Sequence, residues 1–84
     1  MTKDLAYYEA LAWEVALERD LRADGSVYYV ARHPEFGLVA GPLGSGGTPE
    51  EAVADLRSAR QSLIALMLER GDSVPEPVPV KTGA

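Results

Sequence analysis

The chain has 84 residues, of which 46% are hydrophobic and 25% are charged, a composition typical of one small folded domain and not of a disordered chain. It contains no cysteine and a single histidine, which excludes disulfide bonds, thiolate catalysis and a zinc site built from these residues. The net charge of −5 disfavours direct DNA or RNA binding, because such binding depends on cationic side chains that neutralise phosphates. The same charge favours a basic protein partner.

The sequence also bears on compartment and assembly. The N-terminal residues carry no continuous apolar stretch of the signal-peptide type, and no apolar run approaches the roughly 20 residues that span a bilayer. We therefore expect a cytoplasmic protein with no membrane partner. A domain of this length buries only about 60% of its unfolded surface, so we expect it to gain stability as a homodimer or a larger homo-oligomer.

The first half of the chain is predicted to form a short helix and a β-hairpin. Good helix formers with apolar residues at helical spacing predict an N-terminal helix within residues 1–12. From Trp13 onward apolar and polar residues alternate, which predicts a half-buried first strand. Asp24-Gly25 is a turn signal, and the β-branched and aromatic residues at 27–31 predict the second strand of the hairpin.

A third strand and a loop are predicted before the last helix. Pro34 interrupts the strand pattern because proline has no backbone donor. The apolar residues 38–41 predict a short third strand, so the three strands are placed within residues 13–41. The glycine-rich residues 42–47 are predicted to form a flexible loop, which is no P-loop because no lysine follows its glycines.

Residues 48–70 are predicted to form one long helix. Thr48, Pro49 and Glu51 have the identities of an N-cap, a first-turn proline and a capping-box glutamate, and Gly71 is expected to end the helix. The residues predicted for its apolar face are Ala52, Leu56, Ala59, Leu63, Leu66 and Met67. Alternating prolines predict an extended tail at 74–80. The expected fold class is therefore α+β, with a short N-terminal helix, a three-stranded antiparallel sheet, one long helix packed on one face and an extended proline-rich tail.

Five residues at and after the second strand are candidate protein-interface residues: Tyr28, Tyr29, His33, Glu35 and Phe36. Tyr28 and Tyr29 are adjacent on a strand and point to opposite faces, and one helix covers only one face. One of the two tyrosines therefore either contacts a partner or is half-buried on the protein surface. His33 either contacts a partner, titrates as a switch or is simply solvated, and the solvated state is the expected one.

Three carboxylates near predicted strand ends raise the question of a metal site. A nuclease of the two-metal type needs several carboxylates that converge on ions about 4 Å apart. Asp24 is already explained by its turn, Glu35 is expected to be a loop acid, and Asp20 alone is insufficient. We therefore predict no catalytic residue, no metal, no cofactor and no enzymatic activity.

From about Trp13 to Pro79 the chain resembles the HicB-like antitoxin family. The resemblance rests on the order of the aromatic strand Tyr28-Tyr29-Val30, the segment His33-Pro34-Glu35-Phe36-Gly37, the helix start Thr48-Pro49-Glu50-Glu51-Ala52 and the tail Pro75-Glu76-Pro77. It implies a degenerate ribonuclease-H-like fold without the catalytic carboxylates. It also implies a protein that binds and inhibits HicA, a small basic toxin that cleaves messenger RNA.

Three departures from the family's pattern leave a second function open. No C-terminal DNA-binding domain is expected, residues 42–47 form a longer link than the family's, and a helix precedes the first strand as in short stand-alone members. The leading hypothesis is an antitoxin-like protein that occludes a basic toxin. The alternative is an orphan regulatory or structural homo-oligomer without a toxin partner, and a metal-dependent nuclease, motivated only by the ancestral fold, comes third.

Overall fold

The computed structural model describes residues 3–37 and 41–77. Its elements are helix α1 (Leu5–Glu9), strand β1 (Ala16–Leu21), strand β2 (Val27–Arg32), a 3₁₀ turn (Pro34–Phe36), strand β3 (Leu43–Gly46) and helix α2 (Pro49–Arg70). The strands form an antiparallel sheet in the order β1-β2-β3. Helix α2 packs on β2 and β3, and α1 packs on α2, so the predicted α+β fold is confirmed.

Helix α1 is shorter than the predicted helix, and β1 begins later than predicted. The Asp4 carboxylate accepts a hydrogen bond from the Tyr7 N–H at 3.0 Å and caps the first turn. Beyond Ala10 the chain is irregular until Ala16, so the prediction that the strand begins at Trp13 is wrong. The indole N–H of Trp13 donates to the Tyr8 carbonyl oxygen at 2.8 Å, which folds this segment back onto α1 instead of extending it into the sheet.

The predicted hairpin between β1 and β2 is confirmed. Gly25 has a φ of +88°, a left-handed conformation that glycine adopts without steric cost. The Asp24 carboxylate accepts hydrogen bonds from the hydroxyl and the N–H of Ser26, and these bonds lower the pKa of Asp24. Asp24 therefore stabilises the turn, as its position beside Gly25 predicts.

The third strand lies in the segment predicted to be a flexible loop, so that prediction is wrong. Gly44 and Gly46 of β3 lie opposite Ala31 and Tyr29 of β2. A Cβ atom at Gly44 would lie 2.1 Å from the backbone nitrogen of Leu56, so only glycine lets β3 approach the backbone of α2 this closely. The predicted strand residues 38–40 lie outside the described residues.

Helix α2 begins and ends at the predicted signals. The Thr48 hydroxyl oxygen accepts a hydrogen bond from the Glu51 N–H at 3.1 Å. At the other end Gly71 has a φ of +77°, and the Asp72 N–H donates to the Met67 carbonyl oxygen at 2.9 Å. This pattern is a Schellman motif, which satisfies carbonyl groups of the last turn.

The buried face of α2 differs in part from the predicted one. Its buried residues are Ala52, Leu56, Arg60 and Ile64, which recur every four positions. Of the residues predicted for the apolar face, Ala59, Leu63 and Met67 are half-buried and Leu66 is exposed. The central core cluster is small and consists of Ala31, Ala52 and Leu56, against which Tyr29 and Val53 pack.

The described part of the tail, residues 72–77, has no regular secondary structure and returns to the N-terminal end of the chain. The Glu76 carboxylate accepts hydrogen bonds from Lys3 Nζ and from the Tyr7 hydroxyl, both at 2.9 Å. These bonds lower the pKa of Glu76. The tail and α1 therefore pack within one chain, while the predicted tail residues 78–80 lie outside the described residues.

Removing the cap of α2 is expected to have a moderate cost. Thr48→Ala should lower the free energy of unfolding by about 1 kcal/mol, because the Glu51 N–H loses its acceptor. Urea denaturation followed by circular dichroism measures the change. Ser58→Ala is the control, since Ser58 is exposed on the same helix and its replacement should change stability by less than about 0.5 kcal/mol. Equal midpoints for the two variants would contradict the prediction.

Candidate protein-interaction surface

The five predicted interface residues do not form one surface. Tyr29 packs against the core beneath α2. Tyr28 lies on the opposite face, where its hydroxyl donates to the Asp20 carboxylate at 3.3 Å, and the negative charge of Asp20 raises the pKa of Tyr28. The two tyrosines thus point to opposite faces as predicted. His33 is five residues further along, roughly 16 Å from Tyr28 in an extended chain, and belongs to a separate cluster.

His33 is buried, with only 2% of its surface exposed, so the expectation of a solvated histidine is wrong. Its Nδ1 lies 2.5 Å from the Glu14 carbonyl oxygen, and its Nε2 lies 3.2 Å from Nη1 of Arg60. These contacts fit a neutral imidazole that donates from Nδ1 and accepts at Nε2. The ring is enclosed because Trp13 and Phe36 pack around it.

The same cluster contains a buried ion pair that sequence reasoning missed. Nη2 of Arg60 lies 2.6 Å from the Glu9 carboxylate, and the Arg60 side chain is 10% exposed. The guanidinium also lies 6.0 Å from the centroid of the Trp13 ring, which in turn stacks on Phe36 with centroids 5.3 Å apart. Glu9, Trp13, His33, Phe36 and Arg60 are called the ion–aromatic cluster below. It joins α1, the end of β2 and α2.

One signal in the sequence points to Arg60. Ala52, Leu56 and Ile64 are spaced by multiples of four, and Arg60 occupies the missing position of this row. The four-residue spacing predicts that Arg60 is buried only if a charged residue is accepted as a member of the apolar face of α2. Beside the cluster lies a cavity of about 300 Å³ whose lining includes Glu9, Trp13, His33 and Arg60.

The carboxylates considered for a metal site are engaged separately. Glu35 accepts a hydrogen bond from the Glu14 N–H at 2.8 Å, and Asp20 accepts one from the Leu21 N–H at 2.8 Å. Asp24 is held in its turn. Across residues 3–37 and 41–77, no group of three or more His, Cys, Asp or Glu side chains is placed to hold a metal ion.

The burial of His33 predicts a pH dependence of stability. Burial lowers the pKa of the His33 imidazole below its ordinary value of 6.5, and the positive charge of Arg60 lowers it further. The unfolded chain therefore binds more protons than the folded chain as the pH falls below 6.5. The stability that His33 contributes is complete above this pH and is lost as the pH falls toward the lower pKa of the folded state.

We expect the Tm to decrease between about pH 7.5 and about pH 5.5, the range in which histidine titrates. Because His33 is the only histidine of the chain, His33→Gln should remove most of this dependence, whatever its effect on the Tm itself. Thermal unfolding of both proteins at matched ionic strength measures it. An equal slope in both would assign the dependence to other groups.

Three exposed apolar residues, Val15, Leu17 and Leu21, lie on β1 and just before it and are called the β1 strip below. Leu17 lies opposite Ala31 and Leu21 opposite Val27, so both leucines share the sheet face on which α2 packs. They are nevertheless 44% and 60% exposed, because α2 covers β2 and β3 and leaves β1 uncovered. This strip contains three of the five large hydrophobic side chains that are exposed among the described residues.

Exposed acids alternate in sequence with the apolar residues of the β1 strip, and those within β1, Glu18 and Asp20, lie on the opposite sheet face, level with Val30 and Tyr28. Glu14, Glu18 and Asp20 alternate with its apolar residues and are all exposed.

Neither helix of the described residues is long and apolar enough to cross a membrane. The chain matches no protein-family model, no curated protein sequence and no solved structure.

Proposed function

We propose that this chain is a non-catalytic, antitoxin-like protein that binds and occludes a small basic toxin of the HicA type. The observation that supports this most is the β1 strip with its accompanying acids. Single exposed apolar side chains are ordinary on protein surfaces. Three of them within seven residues, beside a core cluster of only three buried residues, are typical of a contact surface.

Charge supports a basic partner. The chain carries a net charge of −5, and complementary potentials speed the encounter of two proteins and suppress wrong partners. A toxin that cleaves messenger RNA must itself present a basic surface to phosphates. Inhibition in this proposal is steric and electrostatic: the antitoxin covers the surface that the RNA would occupy.

The test is complex formation with a purified HicA-type toxin from the same host. Gel filtration with light scattering should show a stable complex, and cleavage of a messenger RNA by the toxin should stop at stoichiometric amounts of this chain. Leu21→Lys should weaken the complex at least about ten-fold, which corresponds to one interface contact of moderate strength. Leu66→Lys is the matched control, because Leu66 is also an exposed leucine but lies on α2. Absence of a complex at micromolar concentrations would contradict the proposal.

The second candidate is an orphan homo-oligomer, and a different surface favours it. Leu43 is 60% exposed on the sheet face opposite α2, where it lies opposite Arg32 and shares the face with half-buried Tyr28 and Val30. No described helix covers this face, so a second copy of the chain could stack on it. Light scattering should then give a defined oligomer that Leu43→Lys dissociates, with no binding to the toxin.

A further inference from the structure

The two edges of the sheet differ in how they are protected. At β3 the outward N–H of Ser45 donates to the Asp55 carboxylate of α2 at 3.0 Å, so a helix side chain occupies this edge. At β1 the described residues provide no strand and no helix along the edge. An unprotected edge strand is a ready template for a further strand.

The turn determines which backbone groups of β1 face outward. The Arg22 N–H donates to the Ser26 carbonyl oxygen at 2.8 Å. Because hydrogen-bonded pairs recur every second residue in an antiparallel ladder, Asp20 and Glu18 bond to β2 in the same way. The N–H and C=O groups of Leu17 and Arg19 therefore point away from the sheet. The outward N–H of Leu21 is taken by the Asp20 carboxylate.

The charge order along β1 disfavours two-fold pairing of two copies of the chain at this edge in the register centred on Arg19. From Leu17 to Leu21 the strand has the order apolar, acidic, basic, acidic, apolar. Pairing of two outward-facing β1 edges about a two-fold axis at Arg19 would place Arg19 opposite Arg19 and Glu18 opposite Asp20. Like charges directly opposite each other destabilise a sheet.

We propose that β1 accepts an added strand from a basic partner whose charge order is the inverse: apolar, basic, acidic, basic, apolar. The two basic residues of that strand lie opposite Glu18 and Asp20, and its acidic residue lies opposite Arg19. Its apolar residues extend the sheet beside Leu17 and Leu21, while its backbone bonds to the outward groups of Leu17 and Arg19. Since the order is symmetric, the strand fits in either direction. The inference rests on the proposed function in taking the partner to be basic.

The probe is a capped peptide of sequence Thr-Val-Lys-Glu-Lys-Val-Thr, titrated into isotopically labelled protein and followed by NMR. We expect saturable shifts of the amides of Leu17 and Arg19 and slower hydrogen exchange at both. The control peptide Thr-Val-Glu-Lys-Glu-Val-Thr has the charge order of β1 itself. It should bind about five-fold more weakly, because each of its three charged residues meets a like charge.

Two further measurements separate strand addition from charge attraction alone. The double variant Glu18→Lys with Asp20→Lys should invert the preference between the two peptides. Methylation of alternate backbone nitrogens of the first peptide should abolish binding, because the strand then cannot donate to β1. The inference would be overturned by equal binding of both peptides or by the absence of a saturable shift. It would also be overturned by shifts centred on Val30, which lies on the sheet face opposite α2.

The toxin experiment distinguishes failure of this inference from failure of the proposed function. If the double variant binds the toxin as tightly as the natural chain does, the docking mode is wrong and the antitoxin function stands. If the peptide binds at β1 but no toxin does, the edge accepts strands and the antitoxin function fails.

Discussion

Replacing Gly44 by alanine is expected to lower the free energy of unfolding by about 3 kcal/mol or more. The added Cβ would lie 2.4 Å from the Ala52 carbonyl oxygen and 2.6 Å from the Cα of Leu56, as well as against the Leu56 nitrogen. These are backbone atoms of α2, so no side-chain rotation relieves the overlap. The helix and β3 would have to separate, which would open the core cluster around Leu56.

The size of this effect is large for so small a domain. Typical stabilities are about 0.05–0.15 kcal/mol per residue, so a loss of about 3 kcal/mol removes much of the total. Urea denaturation and amide exchange of β3 measure it. Gly47→Ala is the matched control, because a Cβ at Gly47 would lie an ordinary 3.9 Å from Oε1 of Glu51 and would overlap no backbone atom of α2. If both variants unfold at the same urea concentration, close packing is not the reason for glycine at position 44.

Arg60→Met is expected to lower the free energy of unfolding by about 3 kcal/mol, because it removes one partner of a buried ion pair. The Glu9 carboxylate, whose side chain is 25% exposed, would lose its cation at 2.6 Å. His33 would also lose the hydrogen bond that Arg60 donates to its Nε2. The expected loss of stability is at the lower end of the range usual for breaking a buried ion pair, because the Glu9 carboxylate retains partial contact with water.

Arg57→Met is the control for Arg60→Met, since Arg57 is exposed on the same helix and should contribute less than about 0.5 kcal/mol. Fluorescence of Trp13, the only tryptophan, reports specifically on the ion–aromatic cluster. Its emission should change in the folded state of Arg60→Met and stay constant in Arg57→Met. An unchanged spectrum and an unchanged urea midpoint would show that the pair contributes nothing to the fold.

Gly44 and Arg60 support the proposed contact surface from within the fold and are not part of it. Gly44 holds α2 over β2 and β3, which leaves the β1 strip uncovered. Arg60 holds α1 and the segment around Trp13 against α2. Variants of the β1 strip, such as Leu21→Lys, should by contrast change partner binding with little effect on folding, because Leu21 is 60% exposed.

Features that depend on only a few consecutive residues could be predicted from the sequence. The turn at Asp24-Gly25, the cap at Thr48 and the end of α2 at Gly71 lie where their residue types indicate. Each depends on a backbone conformation or a hydrogen bond that is completed within about five residues, so no distant part of the chain can override it. The alternation of β2 likewise placed Tyr28 and Tyr29 on opposite faces.

The candidate surface was only partly predictable. His33, Glu35 and Phe36 follow β2 closely in sequence, but His33 and Phe36 turn into the ion–aromatic cluster and Glu35 bonds to the Glu14 backbone. Leu17 belongs to the alternating residues from which a first strand was predicted, although β1 begins later than predicted and extends to Leu21. The exposure of the β1 leucines could not be predicted, because it depends on which strands α2 covers.

By itself, then, the sequence determined the α+β class, the hairpin, and the start and end of α2, since local backbone conformation and hydrogen bonds specify them. Only the tertiary structure decided that Gly44 belongs to a strand, that His33 is buried and that Arg60 is paired. Glycine has no side chain to indicate burial, and its role appears only when α2 lies against it. Arg60 meets Glu9 across 51 positions of the chain, and a contact between residues so far apart leaves no local pattern.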